Sequence, residues 1–371
     1  VILQEHTVQH YRNIEQASFR PGPHLTVICG KNGQGKTNLL ESVWLLCGAK
    51  SFRGGKDVHL VQRGQPYAVV EAAAKQDDGE EDKFRLIIGG EGCEEAGVKA
   101  GRTAKLNGAD FGRATNLAGH FYAVVFSPAH LDLVKGSPEG RRRFVDAALC
   151  QLYPGYLAVL RRYMRAVTQK NALLRDARRF AGVDELIAPF DEEMARAGFE
   201  IIARRTAYLA QLFAEASAVY DSISAGSEQC GFAYQPTAAE EEELRGILRK
   251  ARAADLHAGC CTVGPHREDI AITVAGQDAR AFASQGQQRS AALALKLAEA
   301  GLIRQVTGTE PVMLLDDVLS ELDGVRRDFL LRKIEGRQVL LTSCDAAAFH
   351  DTPGAIYEME TGRLRTVKHE D

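Results

Sequence analysis

One stretch limits what this chain can fold into more than any other: Gly30-Lys31-Asn32-Gly33-Gln34-Gly35-Lys36-Thr37. It meets the pattern G-x-x-x-x-G-K-[ST] at every required position. Leu25-Thr26-Val27-Ile28-Cys29 before it is a short apolar, β-branched run that reads as a buried strand. Asn38 to Leu46 after it reads as a helix, with Gly48 as its stop. Strand, glycine-rich turn and helix start are what phosphate binding requires. The glycines let backbone N–H groups close around phosphate oxygens, and the helix N-terminus adds partial positive charge. Lys36 then reaches the β- and γ-phosphates, and the Thr37 hydroxyl can ligate Mg²⁺. The motif therefore predicts a nucleoside triphosphate site in an α/β domain.

At 371 residues the chain is longer than an average domain, so two lobes, or one domain carrying an insertion, are expected. Hydrophobic content of 45% and charged content of 26% suit a globular protein. No run approaches the roughly 18 consecutive apolar residues of a membrane span, and no charged leader precedes an apolar core at the N-terminus. The eight cysteines form no C-x-x-C pair and several sit in apolar runs, which points to a reducing, cytoplasmic compartment. A net charge of −3 gives no global nucleic-acid footprint. The charge is uneven, however. Lys135 to Arg179 holds eleven basic and three acidic residues, net +8, including Arg141, Arg142, Arg143, Arg161, Arg162, Arg178 and Arg179. This segment is the candidate for a polyanion surface, although a solvated helix face would read the same way.

Along the chain, Ile2 to Phe19 reads as strand, turn and strand, and Pro21-Gly22-Pro23 turns into the P-loop strand. Tyr67–Ala72 and Phe84–Ile88 read as strands around an acidic hairpin tip, Asp77 to Asp82. Asn107-Gly108 marks another hairpin, and Phe121–Phe126 a buried strand stopped by Ser127-Pro128. From about Glu139 to His257 the apolar period becomes helical, predicting three to five helices broken near Gly182, Pro189 and Gly226. Glu240 to Glu243 opens one of them, where carboxylates suit the helix dipole. Strand signals return at Ile270–Val274. A helix over Ser290–Val306, a strand Val312–Leu315, a helix Val325–Glu335, a strand Gln338–Leu341 and a hairpin after Ala355 follow. The expected division is residues 1–135 for the first part of the ATPase lobe, 136–260 for a helical insertion, and 261–371 for the second part.

Val312-Met313-Leu314-Leu315-Asp316-Asp317 is an apolar strand ending in two carboxylates. In P-loop enzymes the carboxylate at such a strand end holds Mg²⁺, the role assigned to Asp316. Asp317 points to another side and is the candidate general base. Ser284-Gln285-Gly286-Gln287-Gln288-Arg289 precedes a helix and offers a second phosphate-binding terminus. One triphosphate rarely needs two, so this one hints at a different nucleotide. An ordinary polar helix cap is the plainer reading.

The order of P-loop, helical insertion, S-Q-G-Q-Q-R, L-L-D-D and Ser320-Glu321-Leu322-Asp323 resembles the ABC-type ATPases of the SMC class. Within that class the chain is similar to the RecF family of recombination-repair proteins, as carried by Tyr11-Arg12-Asn13-Ile14, Cys29 to Asn38, Gly264-Pro265-His266-Arg267-Glu268-Asp269 and Asp316 to Asp323. The match covers essentially the whole chain. The resemblance implies an α/β head with an inserted helical lobe, using ATP and Mg²⁺, that dimerises on ATP. Each nucleotide would lie between one chain's P-loop and the other chain's Ser284–Arg289, with Ser320 and Asp323 in a D-loop across the interface and Arg12, Asn13 and Asn38 near the nucleotide. It also implies double-stranded DNA, at junctions with single strands, and RecR and RecO as partners.

Three departures shape the expected chemistry. No histidine follows the strand Val339–Leu341, and Ser127-Pro128-Ala129-His130 stands where a Q-loop glutamine is usual. The usual base after the strand-end aspartate is Glu; here it is Asp317. That places the carboxylate about 1.5 Å short, a displacement able to cost about 10²-fold, so slow, DNA-dependent hydrolysis acting as a switch is expected. A transport ATPase subunit is disfavoured by the long helical insertion. A nuclease-coupled ATPase would need a further carboxylate cluster after the ATPase domain, and a GTPase would need an N-K-x-D motif.

Overall fold

The computed structural model describes residues 1–177, 182–345, 349 and 354–368; Arg178 and Arg179 of the basic segment lie outside them. In chain order its elements begin with β1 (Ile2–Tyr11), β2 (Ile14–Phe19), β3 (Leu25–Cys29), α1 (Lys36–Trp44), β4 (Tyr67–Lys75), β5 (Glu81–Gly89), β6 (Gly101–Leu106), β7 (Ala109–Arg113), β8 (Ala123–Phe126) and α2 (Pro128–Leu131). Then come α3 (Pro138–Leu152), α4 (Tyr156–Arg175), α5 (Val183–Ser224), β9 (Cys230–Tyr234), α6 (Glu241–Ala258), β10 (Ile270–Val274), β11 (Gln277–Asp278) and α7 (Ala279–Phe282). The chain closes with α8 (Gln285–Thr307), β12 (Val312–Asp316), α9 (Gly324–Lys333), β13 (Val339–Ser343), β14 (Ala355–Glu360) and β15 (Arg363–Lys368). They divide into two compact units, residues 1–132 with 289–371, and residues 133–288.

The first unit holds two six-stranded sheets. One is antiparallel, in the order β2-β1-β4-β5-β6-β7. The other runs β15-β14-β3-β13-β12-β8 and is parallel from β14 to β8. Parallel strands covered on both faces read as continuous apolar runs. β3, β12 and β8 do so, as Thr26–Cys29, Val312–Asp316 and Ala123–Phe126 are all buried. Helix α1 packs on β1 of one sheet and on β12, β13 and β8 of the other, which is why Leu39 to Trp44 is buried without interruption. Gly48 ends this segment in a left-handed conformation, φ 72°. A Cβ there would come within 2.9 Å of the Ala118 nitrogen, so the stop expected at Gly48 is enforced by packing as well as by torsion.

The second unit joins four helices, α3 to α6, to a small antiparallel sheet in the order β11-β10-β9. Strand β9 was not legible inside the helical stretch, because its partner β10 lies about 40 residues downstream, with Ile270 opposite Tyr234. That pairing draws residues 261–288 into the second unit, beyond the boundary expected at 260. Pro189 does not break a helix, as was expected; it lies inside the 42-residue α5. Pro189 is the seventh residue of this helix, past the first turn, so its missing N–H costs one backbone bond, to the Glu185 carbonyl. No described helix is long and apolar enough to cross a membrane.

Candidate nucleotide-binding site

The parallel sheet delivers the motifs to one edge. In the ladder Leu315 is opposite Phe126 and Leu341, Asp316 is opposite Thr342, and Thr342 is opposite Ile28. The P-loop, Asp316-Asp317, the end of β13 and Ser127 therefore leave the sheet at the same carboxyl-terminal edge, where open α/β sheets bind ligands.

The loop itself uses positive φ at Gly30 (141°), Gly33 (80°) and Gly35 (114°). Gly35 caps α1 without a side-chain bond, so the first-turn N–H groups remain available to an anion. Gly30 has a second reason to lack a side chain: a Cβ would sit 2.3 Å from the Met359 carbonyl oxygen. Lys36 is 6% exposed and arches back to donate to the carbonyls of Gly30 and Lys31, the latter at 3.0 Å. Its Nζ lies 3.6 Å from Cys344 Sγ, and that thiol contacts Asn32 Oδ1 at 2.9 Å. Gln34 serves the loop's shape, since its side-chain and backbone oxygens accept from Thr361 N and Gly362 N in the β14–β15 turn. Lys31, Asn32 and Gly33 form the exposed crest.

Asn13 and Asn38 brace this loop together. Asn13 Nδ2 donates to the Gly33 carbonyl at 3.0 Å, and Asn38 Nδ2 donates to Asn13 Oδ1 at 2.7 Å. Arg12 turns the other way, onto Glu41 of α1, with Nη2 2.7 Å from Oε1 and Nε on Oε2. Glu41 is fully buried and also accepts from Tyr11 OH at 2.9 Å and Ser51 Oγ at 2.5 Å. Sequence reading missed Glu41 because a carboxylate in an apolar helix has no pattern of its own.

Thr37 Oγ1 donates to Asp316 Oδ1 at 2.8 Å, and Thr342 Oγ1 donates to the same oxygen at 3.0 Å. Burial raises the Asp316 carboxyl above its ordinary range, and the two threonine hydroxyls oppose that rise. A hydroxyl that spends its one proton on a carboxylate keeps its lone pairs for a metal. Thr37 and Asp316 thus form a hard oxygen pair of the kind Mg²⁺ takes alongside phosphate and water, and a bound cation would offset the cost of burying the carboxylate. Asp317, by contrast, sits in the left-handed region at φ 51°. For a non-glycine residue that costs on the order of 1–3 kcal/mol and persists only where the surroundings hold it. Ser320 Oγ supplies part of the hold, donating to the Asp317 carbonyl at 2.8 Å. Asp323 caps α9, accepting from Arg326 N at 3.0 Å. Arg289 reaches the Glu321 carboxylate, 2.8 Å, in the same loop. At the end of β8, Ser127 Oγ and His130 Nδ1 are 2.8 Å apart.

Of the stretch Ser284–Arg289, expected to precede a helix, only Ser284 does so; Gln285 to Arg289 already form the start of α8. Ser284 Oγ accepts from Gln287 N at 3.2 Å, and Gln287 Oε1 accepts from Ser284 N at 2.7 Å, a reciprocal capping box. Gln288 is buried on the carbonyls of Ala279 and Ala283, whereas Ser284 and Gln285 are exposed. The basic segment is largely consumed by its own unit. Arg141 is 5% exposed and makes a two-pronged pair with Asp269, 2.6 and 2.8 Å, so it is not a surface cation. Arg142 is half-buried and donates to the Glu268 carbonyl at 2.6 Å. Arg143 pairs with Glu139, and Arg162 with Glu193 at 2.5 Å. Arg161 is exposed. The net charge of residues 135–179 leaves out Asp269 and Glu193, which come from elsewhere in the chain.

Gly264 to Asp269, whose role was not legible, ties this unit together. Pro265 O accepts from Arg205 at 2.7 Å, and the Glu268 carboxylate accepts from Tyr234 OH and, at 2.7 Å, from both Thr237 N and Oγ1. Gly264, φ 119°, leaves room for Tyr163 OH, which a Cβ would approach to 2.4 Å. Among the described residues no cluster of three or more His, Cys, Asp or Glu is placed to hold a metal.

Comparison with known proteins agrees with this layout. The family model for the RecF/RecN/SMC N-terminal domain matches residues 2–363. The DNA replication and repair protein RecF of Heliobacterium modesticaldum is 38% identical over 376 residues, covering 98% of both chains. RecF of Halalkalibacterium halodurans is 34% identical over 378 residues, covering 98% of this chain and 99% of that one. Among solved structures, the recombination mediator protein RecF-ATPrS of the RecFOR pathway superposes with a TM-score of 0.88 at 33% identity, covering 99% and 98% of the two chains. An SMC head domain from Pyrococcus furiosus, at 16% identity and a TM-score of 0.55, shares the fold. With its α/β ATPase head, its inserted second unit and its relatives matching end to end, this chain belongs to the RecF family of SMC-type DNA replication and repair proteins.

Proposed function

We propose that this protein binds ATP with Mg²⁺ at Gly30–Thr37 and Asp316, and hydrolyses it slowly as a switch for holding DNA in recombinational repair. Two copies close on ATP, each offering its P-loop to the other's Ser284–Arg289, and grip duplex DNA beside single-strand gaps together with RecO- and RecR-type partners. The observation that carries this reading is the Thr37–Asp316 contact at the P-loop, in a chain that relatives of this family match over nearly its full length. Lys36 orients the phosphates, Thr37 and Asp316 hold the metal, and Asp317 is the base that takes a proton from water. DNA contacts come from exposed basic side chains such as Arg143, Arg161 and Arg162, with the carboxylate partners of Arg143 and Arg162 exchanged for phosphates.

The test is scattering mass with and without Mg-ATP and duplex DNA. The wild-type protein doubles in mass with ATP, and its DNA affinity falls steeply from low to physiological salt. K36M does neither. A wild-type protein that binds ATP but stays monomeric refutes the clamp.

A further inference from the structure

We propose that Thr342 is a positioning residue for hydrolysis, coupling the strand-end carboxylates Asp316 and Asp317 through one hydroxyl. The inference deepens the proposed ATPase reading and rests on it.

Thr342 is 3% exposed on β13, in register with Asp316 of β12. Its Oγ1 donates to Asp316 Oδ1 at 3.0 Å and accepts from the Asp317 backbone N–H at 2.9 Å. A threonine hydroxyl has one proton and two lone pairs, so both bonds form at once, each in a fixed direction. Strand β12 ends at Asp316. The hydroxyl thus takes the Asp317 N–H just where the strand stops. This has two consequences. Asp316 Oδ1 is saturated by Thr37 and Thr342, which fixes the rotation of that carboxylate. Asp317 is held at φ 51° from both sides, by Thr342 on its N–H and by Ser320 on its C=O. The backbone torsion sets where the Asp317 carboxylate points, so the hydroxyl determines the aim of the base without touching the reacting atoms. Nothing in the sequence marks Thr342; only strand register brings it beside the two carboxylates.

The substitution T342V keeps the shape and removes both bonds, whereas T342S restores the hydroxyl. Hydrolysis and nucleotide affinity are measured on the full chain, with K36M as the baseline. T342V is expected to retain ATP affinity within about threefold, because Thr37 still holds Asp316. Its kcat is expected to fall by roughly 10- to 100-fold, the scale of a misaimed catalytic group, and T342S recovers most of it. If T342V does not fold, T342A carries the same comparison with T342S. A kcat for T342V equal to wild type, a loss that appears wholly in ATP affinity, or a folded T342S as slow as T342V each overturns the proposal. Failure of the underlying reading looks different: wild-type turnover no faster than that of K36M.

Discussion

Replacing Glu41 by alanine tests whether the P-loop helix is anchored by a buried charge. Glu41 is fully buried in the middle of α1 and accepts from Arg12, Tyr11 and Ser51. Truncation leaves the Tyr11 hydroxyl, on a residue 0% exposed, without its partner; an unsatisfied buried group costs about 1–3 kcal/mol. It also leaves the Arg12 guanidinium, 18% exposed, without its counter-charge. Breaking a buried ion pair costs about 3–5 kcal/mol, and the residual exposure of Arg12 moves that toward the lower end. The two losses overlap, so E41A should destabilise the first unit by roughly 3–5 kcal/mol. The assay is urea unfolding followed by the fluorescence of Trp44, the only tryptophan in the chain and part of α1 itself. A double-mutant cycle with R12M isolates the pair: the double variant should lose less than the sum of the singles. A loss under about 1 kcal/mol for E41A, or an additive cycle, refutes the argument.

The second unit should respond to mild acid. Burial holds His266 down to about 4, from an ordinary 6.5, with Arg267 and Arg142 adding to the effect against the Cys261 carbonyl. Between those values the unfolded chain binds a proton that the folded chain rejects. Stability is therefore full above pH 6.5 and falls by up to about 3 kcal/mol as pH drops to 4. H266Q should flatten that slope in urea midpoints followed by helical circular dichroism; matching slopes would refute it. At the other motif, S284R should leave ATP affinity intact and abolish the ATP-dependent mass increase. It should also cost about 1 kcal/mol from the lost cap. Normal dimerisation of S284R would sink the assignment of that helix start to a second copy.

Local chemistry wrote much of this protein openly. The P-loop torsions, the buried parallel strands, the carboxylates ending β12 and the serine cap of α8 each follow from short stretches whose residue types permit few alternatives. Other features were decided only when distant segments met. Strand β9 exists because β10 pairs with it, and α5 runs through Pro189 because tertiary packing outweighs one missing backbone bond. Arg141 is withdrawn from the cationic surface because Asp269 lies 128 residues away in sequence yet 2.6 Å away in space. The roles of Glu41 and Thr342 are of the same kind. A buried carboxylate or hydroxyl takes its meaning from the donors and acceptors that surround it, and those come from other segments of the chain. Periodicity and motif spacing record what a segment needs from its neighbours; sheet register and burial determine which neighbours it gets.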